Sequence, residues 1–584
     1  MYYKQIFVIL LFFTASLVSE DLKLPTHMIH FTGQKHFDEV VLQDALGVEH
    51  KSFFQFWKEN VPRIKDRLLP TLGSSLKSFY DSEGFYDAKF SIKETNTTVD
   101  VSIKENRPVK INDINISSDY NLSTFITVKR GEIFRTEDFV NIKNTIIEAL
   151  LKDGYCSYDL DTKAYVDLDK YTVDLRYSLK KGGVCTFGAL SVKGLESIDK
   201  KVITSRVRAA EGERFNTELI KNTYTAIYDL DAFDNVLVTY DRKFYNVVPV
   251  DITVSEMKKP NHYRVGAGYD TYVGARVQAE YIKKNFLGNA QKVKVKTAWS
   301  SKEQLVEVDF FKPAFFELYS HYTDLGSKIG YSNLEYEGFM EKKAYGRVFL
   351  SYIDKQFDVK AGIALEDIDI SLLDNMQGNP VSHAINEGTF LLFYPYVNVI
   401  YDGRNSKLDP KYGFYFSTYL EYGLSYDEEA SDYLKMTVEG RAIHTLGDLT
   451  LAAVGKAGII DGDPAGLPES KLFFSGGSFS NRAYGYNEMG VILSPSQYSI
   501  EGAVTMANLS LEADYPVWGD IYGAVFTDNT MLSNESYDFS GEIITSAGVG
   551  IRYMTPIGPF KLDMGFNVHD ASQYGIQFQI GQSF

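Results

Sequence analysis

Arg482 is the residue on which chemistry could be built. It stands in Phe473-Phe474-Ser475-Gly476-Gly477-Ser478-Phe479-Ser480-Asn481-Arg482-Ala483-Tyr484-Gly485-Tyr486, inside a Gly-, Ser-, Pro- and Asn-rich stretch over 461–499 with no periodic apolar pattern. A guanidinium can fork onto facing carboxylates through two parallel hydrogen bonds, and paired glycines permit tight backbone packing. The stretch reads as a long loop that folds back into a cavity, with Gly476, Gly477, Arg482, Ala483 and Tyr484 as its motif. A surface loop without fixed structure is the alternative that composition alone leaves open. The candidate carboxylates are Glu512, in Leu509-Ser510-Leu511-Glu512-Ala513-Asp514-Tyr515-Pro516, and Asp528, at the end of Ala524-Val525-Phe526-Thr527-Asp528. If both face an aqueous interior they can receive Arg482, and such a buried set fixes position more than it adds stability. Otherwise Arg482 merely lines a wet lumen. This is binding chemistry. No Ser/His/Asp spacing marks a nucleophile, so no catalytic residue and no cofactor are expected. His27, His30 and His36 lack a carboxylate or Cys in ligand spacing, so no metal site is expected either.

The elements that must hold this loop lie in the C-terminal half. From His262 to Phe584 helical periodicity disappears, and segments of about ten residues alternate apolar and polar, the length and pattern of a tilted bilayer-crossing strand. Val293, Val295, Thr297 and Trp299 share one face against Lys292, Lys294 and Lys296; Phe560, Leu562, Met564 and Phe566 form another such face. The polar face must look into water, because lipid cannot satisfy it. Sixteen segments are expected, starting near His262, Ala275, Gln291, Glu303, Phe315, Lys343, Phe357, Gly388, Tyr412, Ser431, Leu449, Ile500, Asp520, Ile543, Pro559 and Gly575. An even count leaves both ends of the barrel on one side of the membrane, and the 461–499 loop then joins the eleventh and twelfth strands. A large secreted β-sandwich is the soluble alternative; the Tyr-rich strand ends and the final aromatic, Phe584, favour a 16-stranded antiparallel transmembrane β-barrel over 262–584.

Composition bounds the rest. The chain has 584 residues, with 60 Lys and Arg against 77 Asp and Glu, a formal charge of −17 that argues against binding nucleic acid through phosphates. Met1-Tyr2-Tyr3-Lys4-Gln5 precedes an apolar run from Ile6 to Val18 and a polar start at Glu20, the pattern of a secretory signal peptide over 1–19 rather than a membrane anchor. Between the two lies an α+β region of three repeats, at 22–107, 108–183 and 184–258, each read as β-α-α-β-β with its helices covering one face of a small sheet. Helices are expected over Ile64–Tyr80, Thr136–Leu151 and Asn216–Leu230. Cys156 and Cys185 bracket a predicted hairpin, and a disulfide between them and two free thiols are equally compatible with that placement.

Together these residues resemble the BamA/TamA superfamily of outer-membrane assembly barrels, over nearly all of the mature chain. The resemblance rests on Phe474-x-Gly476-Gly477 with Asn481-Arg482-Ala483-Tyr484, on the Pro-containing strand Leu511–Val517, on Ala524–Asp528, and on Ile557-Gly558-Pro559-Phe560-Lys561-Leu562-Asp563. The family's Arg-Gly-Tyr/Phe loop motif stands here as Arg482-Ala483-Tyr484, a departure that puts the local backbone conformation in question. The repeats are similar to POTRA domains. Three of them before sixteen strands, with Leu391-Leu392-Phe393-Tyr394-Pro395 and Val265-Gly266-Ala267-Gly268-Tyr269, are most like the TamA branch.

The resemblance implies a protein of the bacterial outer membrane with its POTRA domains in the periplasm. It would help insert and fold β-barrel clients such as autotransporters, in contact with outer-membrane lipid and with a TamB-like inner-membrane-anchored periplasmic partner. A physical route is a weak seam between first and last strands: Gly266, Gly268 and Gly274 at one side, Gly575 and Gly581 with the terminal Phe584 at the other, since strand glycines pack nothing. An opened seam exposes edges that template a client strand. A secretion pore of the two-partner type and a main BamA-like assembly barrel are the alternatives.

Overall fold

The computed structural model describes residues 26–48, 62–241, 246–270, 274–318, 321–373, 385–426, 431–555 and 558–580. The expected signal peptide and the seam residues Gly581 and Phe584 lie outside them. The chain folds as two compact units, one of Met1–Leu190, Ala209–Ile220 and Tyr240–Val250, the other of Ser191–Arg208, Lys221–Thr239 and Asp251–Phe584.

Three small sheets come first. β1 (Thr26–Thr32), α1 (Glu39–Ala45), β2 (Arg63–Lys65), α2 (Leu72–Ser82), β3 (Lys89–Glu94) and β4 (Thr98–Lys104) give a sheet of order β2-β1-β4-β3. β5 (Lys110–Ser118), α3 (Thr136–Lys152), β6 (Asp159–Asp167) and β7 (Thr172–Lys180) give β5-β7-β6. β8 (Thr186–Lys193), α4 (Lys200–Thr204), α5 (Thr217–Tyr228), β9 (Phe233–Tyr240) and β10 (Val247–Glu256) give β8-β10-β9. In the first two, the opening strand runs parallel to the closing one. The helices bury one stripe each: Leu72, Leu76 and Tyr80 in α2, and Ile142, Ile146 and Leu150 in α3, at four-residue spacing. Both stop at a glycine with positive φ, Gly84 and Gly154, which lets the next N–H reach back to the last turn. In the third repeat Asp231 takes that left-handed position instead.

Two helical expectations need correction. The helix read over Ile64–Tyr80 begins only at Leu72, because β2 and a 3₁₀ turn over Asp66–Thr71 precede it; Pro70 cannot supply the N–H an α-helix needs there. The second repeat has one α-helix among the described residues, not two. Residues 119–135 run as turns, where Ser118 and Asn121 side chains accept backbone N–H groups and β-branched Thr124, Ile126, Thr127 and Val128 follow. Cys156 and Cys185 form a disulfide, joining the exit of α3 to the start of the third sheet.

The large sheet follows. Its strands are β11 (Asn261–Asp270), β12 (Gly274–Lys283), β13 (Lys292–Trp299), β14 (Glu303–Leu318), β15 (His321–Glu335), β16 (Phe339–Asp354), β17 (Phe357–Leu372), β18 (Gly388–Asp402), β19 (Tyr412–Ser425), β20 (Tyr433–Leu446) and β21 (Leu449–Asp461). A two-stranded hairpin of β22 (Ile492–Ser494) and β23 (Gln497–Tyr498) lies in the long loop, after which β24 (Thr505–Trp518), β25 (Ile521–Ser533), β26 (Ile543–Tyr553), β27 (Phe560–Asn567) and β28 (Tyr574–Ile580) complete sixteen antiparallel strands in chain order. The loop joins the eleventh and twelfth of them. The fifth strand begins at His321 rather than near Phe315, because β14 continues to Leu318 through a bulge between Lys312 and Phe316, where Pro313 is tolerated.

The described residues do not show the expected closure of the barrel. Among the described residues no ladder joins β28 to β11, and the sheet ends in two edges. Inward-facing positions of β28 carry Gly575, Gln577 and Gln579, while Tyr263 and Val265 of β11 stand exposed on the outer face. The sheet is inverted relative to a soluble one: Ile551 and Leu562 are 56% and 49% exposed, while Asp528 and Arg552 on the other face are 0% exposed. Apolar outside and polar inside is the condition for a sheet standing in lipid.

The first repeat supplies a pH test. The buried Glu105 carboxylate accepts the His36 backbone N–H, His36 Nδ1 at 2.7 Å and the Tyr80 hydroxyl at 3.1 Å. Burial pushes its pKa up, but the His36 side chain, the backbone N–H groups of Lys35 and His36, and Tyr80 outweigh burial and hold it below the ordinary carboxylate value. A depressed folded pKa stabilises above the unfolded pKa, and that gain disappears as pH falls through the folded one. We predict that Glu105→Gln weakens the first repeat by about 1–3 kcal/mol at neutral pH. Hydrogen exchange over Val99–Ile103 in the full chain should show wild type and variant converging as pH falls below the ordinary carboxylate range and through the depressed pKa of Glu105.

Candidate functional site

The loop lies against the inner face of the sheet, and Arg482 is its most heavily bonded side chain. Nε and Nη2 donate to the two Asp528 oxygens at 2.9 Å each, and the Arg482 backbone N–H donates to the same carboxylate at 3.0 Å. Nη1 bonds Glu512 and lies 3.4 Å from Asp563 Oδ2. The guanidinium carbon sits 3.3 Å from the centroid of the Phe526 ring. That ring in turn occupies the space left by Gly548, its cross-strand partner.

A second cation completes the set. Arg552 Nη2 donates to Glu512 at 2.8 Å, its Nη1 bonds Asp563, its Nε lies 3.9 Å from Asp514, and Lys561 Nζ lies 3.8 Å from Glu512. Three cations and four carboxylates thus meet on β24, β25, β26, β27 and the loop. Period-two alternation puts Glu512 and Asp514, Asp528, Arg552, and Lys561 and Asp563 on one face, while Leu511, Ala513, Val525, Ile551 and Leu562 take the other.

Gly476 and Gly477 have φ of +105° and +93°, and a Cβ on Gly476 would meet the Gly485 carbonyl at 2.2 Å, so this turn requires glycine. Gly477 N–H donates to the carbonyls of Asn481 and Tyr484. Ala483 is fully buried and does not adopt a left-handed φ, so the alanine in the motif fits without strain. Tyr484 Oη accepts from Asn567 Nδ2 at 2.6 Å, and Asn481 Oδ1 accepts from Ser546 Oγ at 2.6 Å.

The glycines singled out for a weak seam divide into two kinds. Gly575 and its ladder partner Gly565 lie under the loop backbone: a Cβ on Gly575 would stand 2.4 Å from the Arg482 carbonyl oxygen, and one on Gly565 2.9 Å from Ala483 N. Gly268 has no atom within 4 Å of such a Cβ, Gly266 meets only the Gln278 side chain, and Gly274 pairs with Asp270. The loop also grips β28 and the residue that precedes it. Gln573 and Gln577 donate to the carbonyls of Ala483 and Tyr484 at 3.0 and 2.9 Å, and Ser478 donates to Gln577 at 3.3 Å.

Arg482, Glu512 and Asp528, the set expected from sequence, are brought together by the fold. Asp563, Arg552, Lys561, Asp514 and Phe526 were not expected there. A usable signal existed: in Phe560-Lys561-Leu562-Asp563 the charges fall on the positions that alternate with the lipid-facing ones. The hydrogen bonds and ion pairs of this cluster fasten the loop to the sheet.

A sheet with an apolar exterior, a charged interior and a loop fastened inside it defines a membrane β-barrel-type protein, carried behind small α+β repeats. The Omp85 superfamily domain matches residues 285–584, and the chain belongs to the Omp85 superfamily. It is similar to the outer membrane protein assembly factor BamA of Nitratidesulfovibrio vulgaris (strain Hildenborough), 22% identical over 600 residues, covering 97% of this chain and 74% of that protein. The BamA of Neisseria meningitidis serogroup B is 19% identical over 640 residues, covering 95% and 78%. The crystal structure of BamA from Haemophilus ducreyi lacking POTRA domains 1–3 shares the fold, with a TM-score of 0.53 and 16% identity over 81% of this chain and 99% of that one. The protein is therefore one of the bacterial outer membrane, with its N-terminal POTRA domains in the periplasm.

Removing the guanidinium leaves Asp528 without its cation and takes one of two guanidinium partners from Glu512 and Asp563. We predict that Arg482→Ala destabilises the loop by about 3–5 kcal/mol and that Arg482→Lys recovers only part, since a lysine cannot fork. Protease nicking within 473–490 on the solubilised protein checks this. Gly575→Ala should release the loop much as Arg482→Ala does, whereas Gly268→Ala should leave nicking unchanged. Equal, small effects of the two glycine changes would mean that the loop does not depend on the Gly575 contact.

Proposed function

We propose that this protein assembles other β-barrel proteins in the outer membrane by offering the edges of β11 and β28 to client strands, with no covalent catalysis and no cofactor. The observation that carries this reading is the pair of free edges, among the described residues, in a sheet whose other strands are laddered on both sides. Unpaired N–H and C=O groups in hydrocarbon cost several kcal/mol each, so a free edge there favours capture of an extended segment. The wall is also low near the edges. β13 and β27 have 8 residues each, against 16 in β16 and in β17. At roughly 3.3 Å per residue, eight residues rise roughly 26 Å, short of the ~30 Å hydrocarbon core, so the bilayer must thin beside them. Thinned lipid eases insertion of a new strand.

The finer reading is TamA-like. Three repeats ahead of sixteen strands support a role in inserting autotransporters and similar clients, with outer-membrane lipid and a TamB-like periplasm-spanning protein as partners. The test is depletion, with the outer-membrane proteome and viability measured together. Loss of a few autotransporter-like proteins in surviving cells is the expected result. General loss of barrels with death would make this the main assembly factor of its cell. An unchanged proteome would overturn the assembly reading, and large, stable single-channel conductance would favour the pore.

A further inference from the structure

Arg482 is not the loop's only buried charge. Lys471 lies at the loop's entry, in Pro468-Glu469-Ser470-Lys471-Leu472, and is buried although nothing in that polar stretch marks it as an interior residue. Its Nζ is 2.8 Å from Glu366 Oε2 on β17 and 3.3 Å from Glu421 Oε1 on β19, and it sits 4.1 Å above the centroid of the Tyr394 ring on β18. Its carbonyl accepts from Lys435 Nζ on β20 at 2.6 Å. The receiving wall is itself organised. Glu366 also takes Arg347 Nη2 at 2.7 Å and the Tyr394 hydroxyl at 2.6 Å, and Glu421 takes the Tyr433 hydroxyl at 2.8 Å. Glu366 has a guanidinium of its own; Glu421 has hydroxyl donors on the wall and takes its ion pair from Lys471.

We infer that Lys471 is a second, separate anchor of the lumenal loop, a positioning residue that ties the β17–β20 wall to the Arg482 cluster on β24–β27 and, through it, to β28. Little slack separates the two anchors. Phe473 and Ala503 exchange backbone hydrogen bonds at 2.7 and 2.9 Å, and Ser475 and Met489 at 2.9 and 3.0 Å, so the limb leaving Lys471 is bonded to the returning limb. The loop is thus a cross-tie, and its hold on Gln573 and Gln577 reaches back to Glu366 and Glu421. The functional weight of this tie rests on the assembly reading above; its existence does not.

A bland account has Lys471 merely neutralise wall carboxylates. Two variants separate the accounts. Lys471→Met keeps the side-chain length and removes the charge, leaving Glu421 without its ion pair. Lys471→Met with Glu421→Gln removes the charge pair and leaves Arg347 on Glu366. Each is made in the full chain, solubilised, and followed by thermal unfolding and by hydrogen exchange over 467–475 and 573–577. Lys471→Met should lower the unfolding temperature and speed exchange in both segments about tenfold. The double variant should regain the unfolding temperature while exchange stays fast, because neutrality is restored and the tie is not. Exchange that recovers together with the unfolding temperature, or that is unchanged in Lys471→Met, overturns the anchor. Both readouts come from the protein alone, so they decide the anchor whether or not the wild-type protein inserts a β-barrel client. Insertion of an unfolded client into vesicles, measured beside them, tests the assembly reading separately.

Discussion

The loop inside the sheet is held by buried charge, and that constraint shapes much of what surrounds it. Desolvating an arginine and a carboxylate costs more than a loose pairing returns, so a buried set survives only when each member is bonded. Arg482 meets that condition through a forked contact on Asp528, a shared contact on Glu512 and Asp563, and the Phe526 ring beneath it. Arg552 bonds the remaining oxygens of Glu512 and Asp563. Such a network is a poor source of stability and a good source of uniqueness, because displacement of the loop would leave several charges unpaired at once. It also dictates small residues below it. Gly565 and Gly575 form a ladder pair on which the Arg482–Ala483 backbone rests.

The charges can stand there because the sheet is inverted. Lipid accepts Leu511, Val525, Ile551 and Leu562 on the outer face, and alternation then delivers every other position to the interior. The same logic made much of the fold legible from sequence. Period-two alternation without helical breaks gives sixteen strands, and the one long unpatterned stretch falls between the eleventh and twelfth. Arg482 was visible because a guanidinium among glycines and aromatics has few other uses. Asp563 and Arg552 were less visible, because a charge in an alternating strand reads as one more lumen-facing residue until its neighbours across the sheet are known. Lys471 was hidden by its polar, Pro-containing surroundings.

What sequence could not supply is non-local. Whether β28 pairs with β11 depends on the register of strands some three hundred residues apart, and no local pattern encodes it. Gly575 illustrates the cost of reasoning strand by strand: as a residue of β28 it is a weak point, and in the fold it is the floor of the loop. The second repeat shows a related limit, since residues 119–135 carry enough apolar residues for a helix, yet side chains that compete for backbone hydrogen bonds keep them in turns. The open sheet, the low wall beside it and the loop's grip on β28 converge on one picture. The edge strand is held from inside by a fastened loop, and in the proposed function its free edge is where a client strand would add.

The most direct test is a covalent lock across that edge. Cysteines placed in pairs on β11 at Arg264 or Gly266 and on β28 at Gln579, in a background with Cys156 and Cys185 replaced by serine, are oxidised and then reduced in vesicles containing the full chain. The account predicts that the oxidised protein loses insertion of an unfolded β-barrel client and that reduction restores it. A locked protein that inserts clients at the wild-type rate would contradict the claim that the free edges do the work.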